Sequence, residues 1–187
     1  MRQQVVPMIQ GQAGNQGIAM AVDRQGGRGS VVSFWADLDA LRGSDPLAKR
    51  LQDEVRERYG ATFDTTPAEV VEMRVTEQPK PGCWNRISVL DVGADGVDAA
   101  VEALRARALP AVEGLDGLCA VLVCADRERG RVIGVTTWRH RDALQGSASH
   151  AHEQREPVRQ MVGAPTLEVT EQEVVIAAGS AVEPDQR

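Results

Sequence analysis

Histidine is scarce in this 187-residue chain: there are three, all between positions 140 and 152. Three cysteines, Cys83, Cys119 and Cys124, fall in no metal-ligand spacing and cannot all pair within one chain. Cys119 and Cys124 are expected on opposite faces of one strand, which excludes a disulfide between them. Reduced, mostly buried thiols and a cytoplasmic location are the expectation. There is no basic block, and 21 Lys and Arg against 27 Asp and Glu leave a net charge of -6. That balance argues against a nucleic-acid partner. Long apolar runs are lacking too: the stretch from Leu118 to Ala125 is far too short to cross a bilayer. Residues 1–15 carry no apolar core followed by a cleavage signal, so neither a membrane partner nor secretion is expected. No Ser-His-Asp order, catalytic carboxylate pair or flavin fingerprint is present, and no metal or cofactor is expected. Gly26-Gly27-Arg28-Gly29 lacks the Lys-Ser/Thr ending of a phosphate cradle and reads as a turn needing positive φ.

What is present is a soluble-globular composition, 42% hydrophobic and 26% charged. It is arranged as a repeat. Displaced by 103 positions, residues 7–61 meet 110–164 with 19 identities and no gap. Trp35 falls on Trp138, Asp39-Ala40-Leu41 on Asp142-Ala143-Leu144, and Gly43-Ser44 on Gly146-Ser147. Pro7, Gly11, Gly14 and Gly27 meet Pro110, Gly114, Gly117 and Gly130. After one residue of slip, Glu69-Val70-Val71 meets Glu173-Val174-Val175. The expected organisation is an incomplete repeat over 1–76, a linker over 77–83 rich in proline and glycine, a complete repeat over 84–180 and a flexible tail over 181–187.

The second repeat reads as strand (Arg86 to Val92), helix, hairpin (Cys119 to Ala125 and Val132 to Trp138), helix and strand (Thr166 to Ile176). Asp95 caps the first helix, Val97, Val101, Leu104 and Ala108 form its stripe, and Pro110 is expected to end it. This order is a split βαβ, or ferredoxin-like, α+β unit. Met1 aligns with Leu104, so the first repeat lacks the first strand and most of the first helix. Two explanations stand: a shortened copy, or a start upstream of Met1. The run from Leu118 to Ala125 is apolar on both faces, so the sheet face away from the helices needs a cover. Two repeats packed sheet to sheet as a pseudo-dimer supply it, and a second chain supplies the missing closure in a homodimer.

The Asp126-Arg127 to Gly130 turn, Trp138 at a strand end, the Asp142-Ala143-Leu144 helix start and a short final strand resemble the antibiotic biosynthesis monooxygenase family. That family belongs to the dimeric α+β barrel superfamily. Leu109 to Ser147 carries the resemblance best. It implies a barrel-like fold, and an activity among cofactor-free oxygenases of polycyclic aromatic substrates, haem-degrading enzymes and members without an assigned reaction.

Differences between the repeats single out site residues. The first repeat places Leu47, Leu51, Val55 and Tyr59 on one helix stripe facing the core, where the second has His150, Gln154, Val158 and Val162. A lined cavity explains the two polar replacements; so does a rotated helix, or one that starts later and leaves His150 in solvent. In the catalytic reading His150 deprotonates a phenolic or enolic, aromatic or polyketide-like substrate, whose carbanion reacts with oxygen directly. Trp138 shapes the pocket, and Asn85 or Gln154 binds an oxygen substituent. A second reading is a non-catalytic structural or ligand-binding barrel, in which Trp138 is packing. A third, implied by the resemblance, is haem degradation through Asn85, Trp138 and His150, with a Trp-to-His spacing longer than in that branch.

Overall fold

The computed structural model describes residues 2–149, Glu153 and 166–179. His150, His152, Gln154 and the tail 181–187 lie outside the described residues. Two hairpins form where alternating apolar residues flank an Asp-Arg turn: β1 (Asn15–Asp23) with β2 (Arg28–Trp35), and β5 (Leu118–Asp126) with β6 (Arg131–Trp138). With β3 (Glu69–Val75), β4 (Trp84–Asp91) and β7 (Thr166–Ala178) they build one seven-stranded antiparallel sheet, ordered β2-β1-β7-β4-β6-β5-β3. The expectation of two separate sheets resolves differently: the halves join edge to edge. Each half's last strand pairs with the other half's hairpin, β7 with β1 and β3 with β5. The result is an α+β, ferredoxin-like fold with a curled, half-barrel sheet.

Helices α1 (Arg2–Gln10), α2 (Leu38–Gly43), α3 (Asp45–Tyr59), α4 (Val97–Ala103), α5 (Leu109–Val112) and α6 (Arg141–Gly146) complete the described elements. The main core lies between α4–α5 and the sheet, where Val97, Ala100, Val101, Leu109 and Val112 meet Val121, Val123, Ala125 and Val132. Each fully buried valine or leucine there contributes about 1.5–3 kcal/mol. Pro110 does not end this helical stretch. A π-turn over Leu104–Ala108, closed by Leu109 N–H donating to the Leu104 carbonyl, carries the chain past the missing proline N–H.

The aligned positions also share local geometry. Trp35 Nε1 donates to Ser33 Oγ at 2.9 Å, and Trp138 Nε1 to Thr136 Oγ1 at 2.9 Å. Ser44 and Ser147 each donate to the carbonyl three residues back at 2.7 Å. Asp37 caps α2 by accepting from Ala40 N–H; His140 caps α6 by accepting from Ala143 N–H through Nδ1 at 3.1 Å. Gly27 and Gly130 both take positive φ in the hairpin turns, as the sequence requires.

One difference is large. The α3 stripe of Leu47, Leu51 and Val55 is half-buried, Tyr59 is exposed, and no α3 residue is buried, whereas the sequence places this stripe in the core. Among the described residues, no strand flanks β2 on the side away from β1.

Candidate functional site

Strand β4 divides the chemistry of the second half between two faces. Arg86, Ser88 and Leu90 point to the helices: Leu90 packs with Ala103, and Arg86 reaches α6. Arg86 is buried, donating to Ser147 Oγ at 2.8 Å, the Leu144 carbonyl at 2.8 Å and Glu171 Oε1 at 2.9 Å. Trp138 shares this face. It is 1% exposed, its indole N–H is satisfied by Thr136, and across the strands it faces Trp84, which carries Arg141 at 5.0 Å over its ring. Trp138 is therefore packed within the protein in this structure.

The opposite face, free of helices among the described residues, receives Asn85, Ile87 and Val89. Asn85 sits directly between Thr137 on β6 and Gln172 on β7, so three polar side chains form one row across three strands. Thr137 Oγ1 donates to Asn85 Oδ1 at 2.9 Å. Gln172 is 3% exposed, and its Oε1 receives no hydrogen bond from the described residues. A buried acceptor left in that condition costs about 1–3 kcal/mol, so the site calls for a donor. Along the same face the next positions of β4, β6 and β5 are apolar, Ile87 pairing with Val135, Val89 with Ile133, and Val135 in turn with Leu122, all half-buried, while on β7 the partners of Ile87 and Val89 are the polar Thr170 and Glu168. The face thus offers an apolar floor ended by a polar row with a spare acceptor. That arrangement suits a compact, mostly apolar molecule bearing a hydroxyl or N–H.

Of the sequence-predicted site residues, Asn85 lies in this row and Trp138 on the other side of the sheet, while His150 and Gln154 lie outside the described residues. The α6 helix, which leads toward position 150, packs on the Trp138 side. Gln172 and Thr137 escaped the sequence reading, because neighbours of Asn85 emerge only once the β4–β7 and β4–β6 registers are known. The available signal was the alternation Glu168, Thr170, Gln172, partly masked by the neighbouring Glu171 and Glu173.

The thiols contribute no nucleophile to this row. Cys83 and Cys119 are buried together with Val174; burial, then the neighbouring Cys83, pushes the Cys119 thiol up to about 12. Burial pushes Cys124 up to about 11. Among the described residues, no three His, Cys, Asp or Glu side chains converge as metal ligands. In the first half, an open groove of about 410 Å³ is lined by Met8, Gln12, Gly43, Pro46, Leu47 and Arg50.

Comparison with solved structures locates this arrangement among known folds. A candidate monooxygenase from Fusobacterium nucleatum superposes with a TM-score of 0.74 at 13% identity, over all of this chain and 88% of that one. An anthrone oxidase-like protein gives 0.62 at 16% identity, over 96% of this chain and 85% of that one. At these identities the likeness is one of fold. An uncharacterized ferredoxin-fold protein of Listeria monocytogenes, related to antibiotic biosynthesis monooxygenases, gives 0.55 at 8% identity, over 92% and 85%. By sequence, the chain is 29% identical over 177 residues to an uncharacterized protein of Mycobacterium tuberculosis, covering 95% of this chain and 79% of that protein. A second uncharacterized protein from the same organism is 28% identical over 178 residues, covering 95% and 75%. No family model matches the chain. No helix among the described residues is long and apolar enough to cross a membrane.

Proposed function

We propose that this chain binds a small aromatic or polyketide-like molecule on the helix-free face of its sheet, as a monooxygenase-like protein that needs no cofactor. The carrying observation is Gln172, whose buried Oε1, unpartnered among the described residues, stands beside Asn85 at the end of an apolar floor on β4, β6 and β5. Asn85 and Gln172 hold the ligand's oxygen substituents, Gln172 accepting from a hydroxyl. The monooxygenase-like fold supports the oxidative form of this reading, in which molecular oxygen is the oxidant; the general base expected of His150 lies outside the described residues, and the binding reading does not depend on it.

The recurrent tryptophan, serine and cap geometries support reading the chain as an internal duplication, with the halves related as a pseudo-dimer and divided near residues 77–83. Oxygen uptake with an anthrone-type or quinol substrate tests the activity: the proposal expects turnover in the wild type and at least a tenfold loss in Asn85→Ala. Binding without oxygen uptake replaces the oxygenase with a ligand-binding module, a reading favoured by the closed packing of Trp138. Absence of both binding and uptake overturns the proposal.

A further inference from the structure

Segment 77–83 joins β3 to β4, and each of its ends is pinned beside a thiol. At its start, the Thr76 and Glu77 amides donate to the Cys119 carbonyl at 2.8 and 3.1 Å. At its end, Cys83 N–H donates to the Lys80 carbonyl at 3.0 Å, and the Cys83 carbonyl accepts from Val174 N–H at 2.7 Å. Cys83 and Cys119 are 1% and 0% exposed and share one small core with Val174. The strand order β7-β4-β6-β5 puts Val174 on the far side of β4 from Cys119, so Cys119 joins this core through Cys83. Two features bring the thiols together. Strand β6 ends at Trp138, opposite Trp84 and Leu118, so Cys83 lies beyond its last pair. Strand β5 has a bulge at Cys119, which has no partner on β6 between Leu118 opposite Trp138 and Ala120 opposite Thr137. The extra residue takes the Cys119 side chain off the helix-side core that Val121 and Val123 occupy. Beyond burial, the largest cause, the charge and hydrogen bond of Cys83 raise the Cys119 pKa, which requires neighbouring sulfurs. Cys124 lies further along β5, opposite Val70 and Ile133, and is no member of this core.

We propose that Cys83 and Cys119 form a reversible disulfide, a covalent latch that fixes segment 77–83 to β5. The oxidant is a low-molecular-weight disulfide. Cys83, which moves with the segment, attacks one sulfur of the reagent as the thiolate, and the other sulfur leaves as a thiol. Cys119 then attacks the Cys83 sulfur of the mixed disulfide, and the second reagent thiol leaves. The protein gives up two protons and two electrons, and the reagent's S–S bond takes them up as two thiols. Burial of both sulfurs makes the exchange slow in the native state and gated by lifting of 77–83. The latch is independent of any ligand on the sheet face.

The test equilibrates the whole chain with reduced and oxidised glutathione, once folded and once in denaturing urea, until the composition stops changing. Free thiols are then alkylated and the peptides mapped by mass spectrometry. The expected product joins the Cys83 and Cys119 peptides and leaves Cys124 alkylated. Its formation constant is at least tenfold larger in the folded protein than in urea, because the fold already holds the two sulfurs together. The thermal midpoint of the oxidised protein is accordingly higher, by about 5 °C or more. A Cys124→Ser variant gives the same bridge. Thiols that stay free at equilibrium, glutathione adducts without a joined peptide, or a bridge through Cys124 overturn the proposal. So does a formation constant no larger than in urea, because the native geometry then does not favour the bond.

Discussion

Arg86 donates to the carbonyl of Leu144 at 2.8 Å, tying the first strand of the second half to the end of α6. Its guanidinium also holds Ser147 and Glu171, so one cation organises the helix face of β4. Arg86→Ala is expected to lower stability by about 3 kcal/mol, since it removes two buried charge-assisted hydrogen bonds and leaves the Ser147 hydroxyl and the Leu144 carbonyl only their bond to each other. Glu171→Gln costs less than about 1 kcal/mol, because that carboxylate is 39% exposed and screened by water. Urea midpoints of the two variants check this order.

The hairpin glycines supply a matched pair. Gly27 and Gly130 have φ of 64° and 65°, yet a Cβ on Gly27 meets nothing within 4 Å while one on Gly130 falls 2.3 Å from the Gly93 backbone. Gly27→Ala is expected to cost about 1 kcal/mol, from the left-handed conformation alone. Gly130→Ala costs about 3 kcal/mol or more, because the β4–α4 connection must shift as well. Thermal unfolding of both variants reads the difference. Equal losses contradict the view that the first half lacks this connection's counterpart.

Raised thiol pKa values set a pH limit. Cys119 and Cys124 hold their protons in the fold at pH values where the unfolded thiols, at 9.0, release them. Their contribution is fully present below pH 9 and is lost as pH rises toward about 11 for Cys124 and about 12 for Cys119. The urea midpoint is expected to fall across that window. In native protein at pH 8 both thiols react slowly with an aromatic disulfide reagent, and at full rate once urea is added.

Much of this architecture was legible before any coordinates. The offset of 103 puts Trp35 with Trp138 and Gly27 with Gly130, and strand periodicity locates both hairpins. What sequence did not reveal is pairing between distant strands. Nothing local tells β7 to pair with β1 as well as with β4, or β3 to join β5, and the polar row of Thr137, Asn85 and Gln172 depends on registers that only the assembled sheet fixes. The half-buried stripe of α3 was equally hidden: its spacing is amphipathic, but spacing alone does not say how deeply a stripe is buried.

The central claim rests on Gln172 and is tested most directly by calorimetric titration of wild type and Gln172→Leu with one hydroxylated anthrone-type ligand. Removing the unpartnered acceptor is expected to leave the urea midpoint of the free protein unchanged or higher. It is also expected to weaken binding at least tenfold, about 1.4 kcal/mol. Equal affinity in the two proteins would contradict a binding site at the polar row.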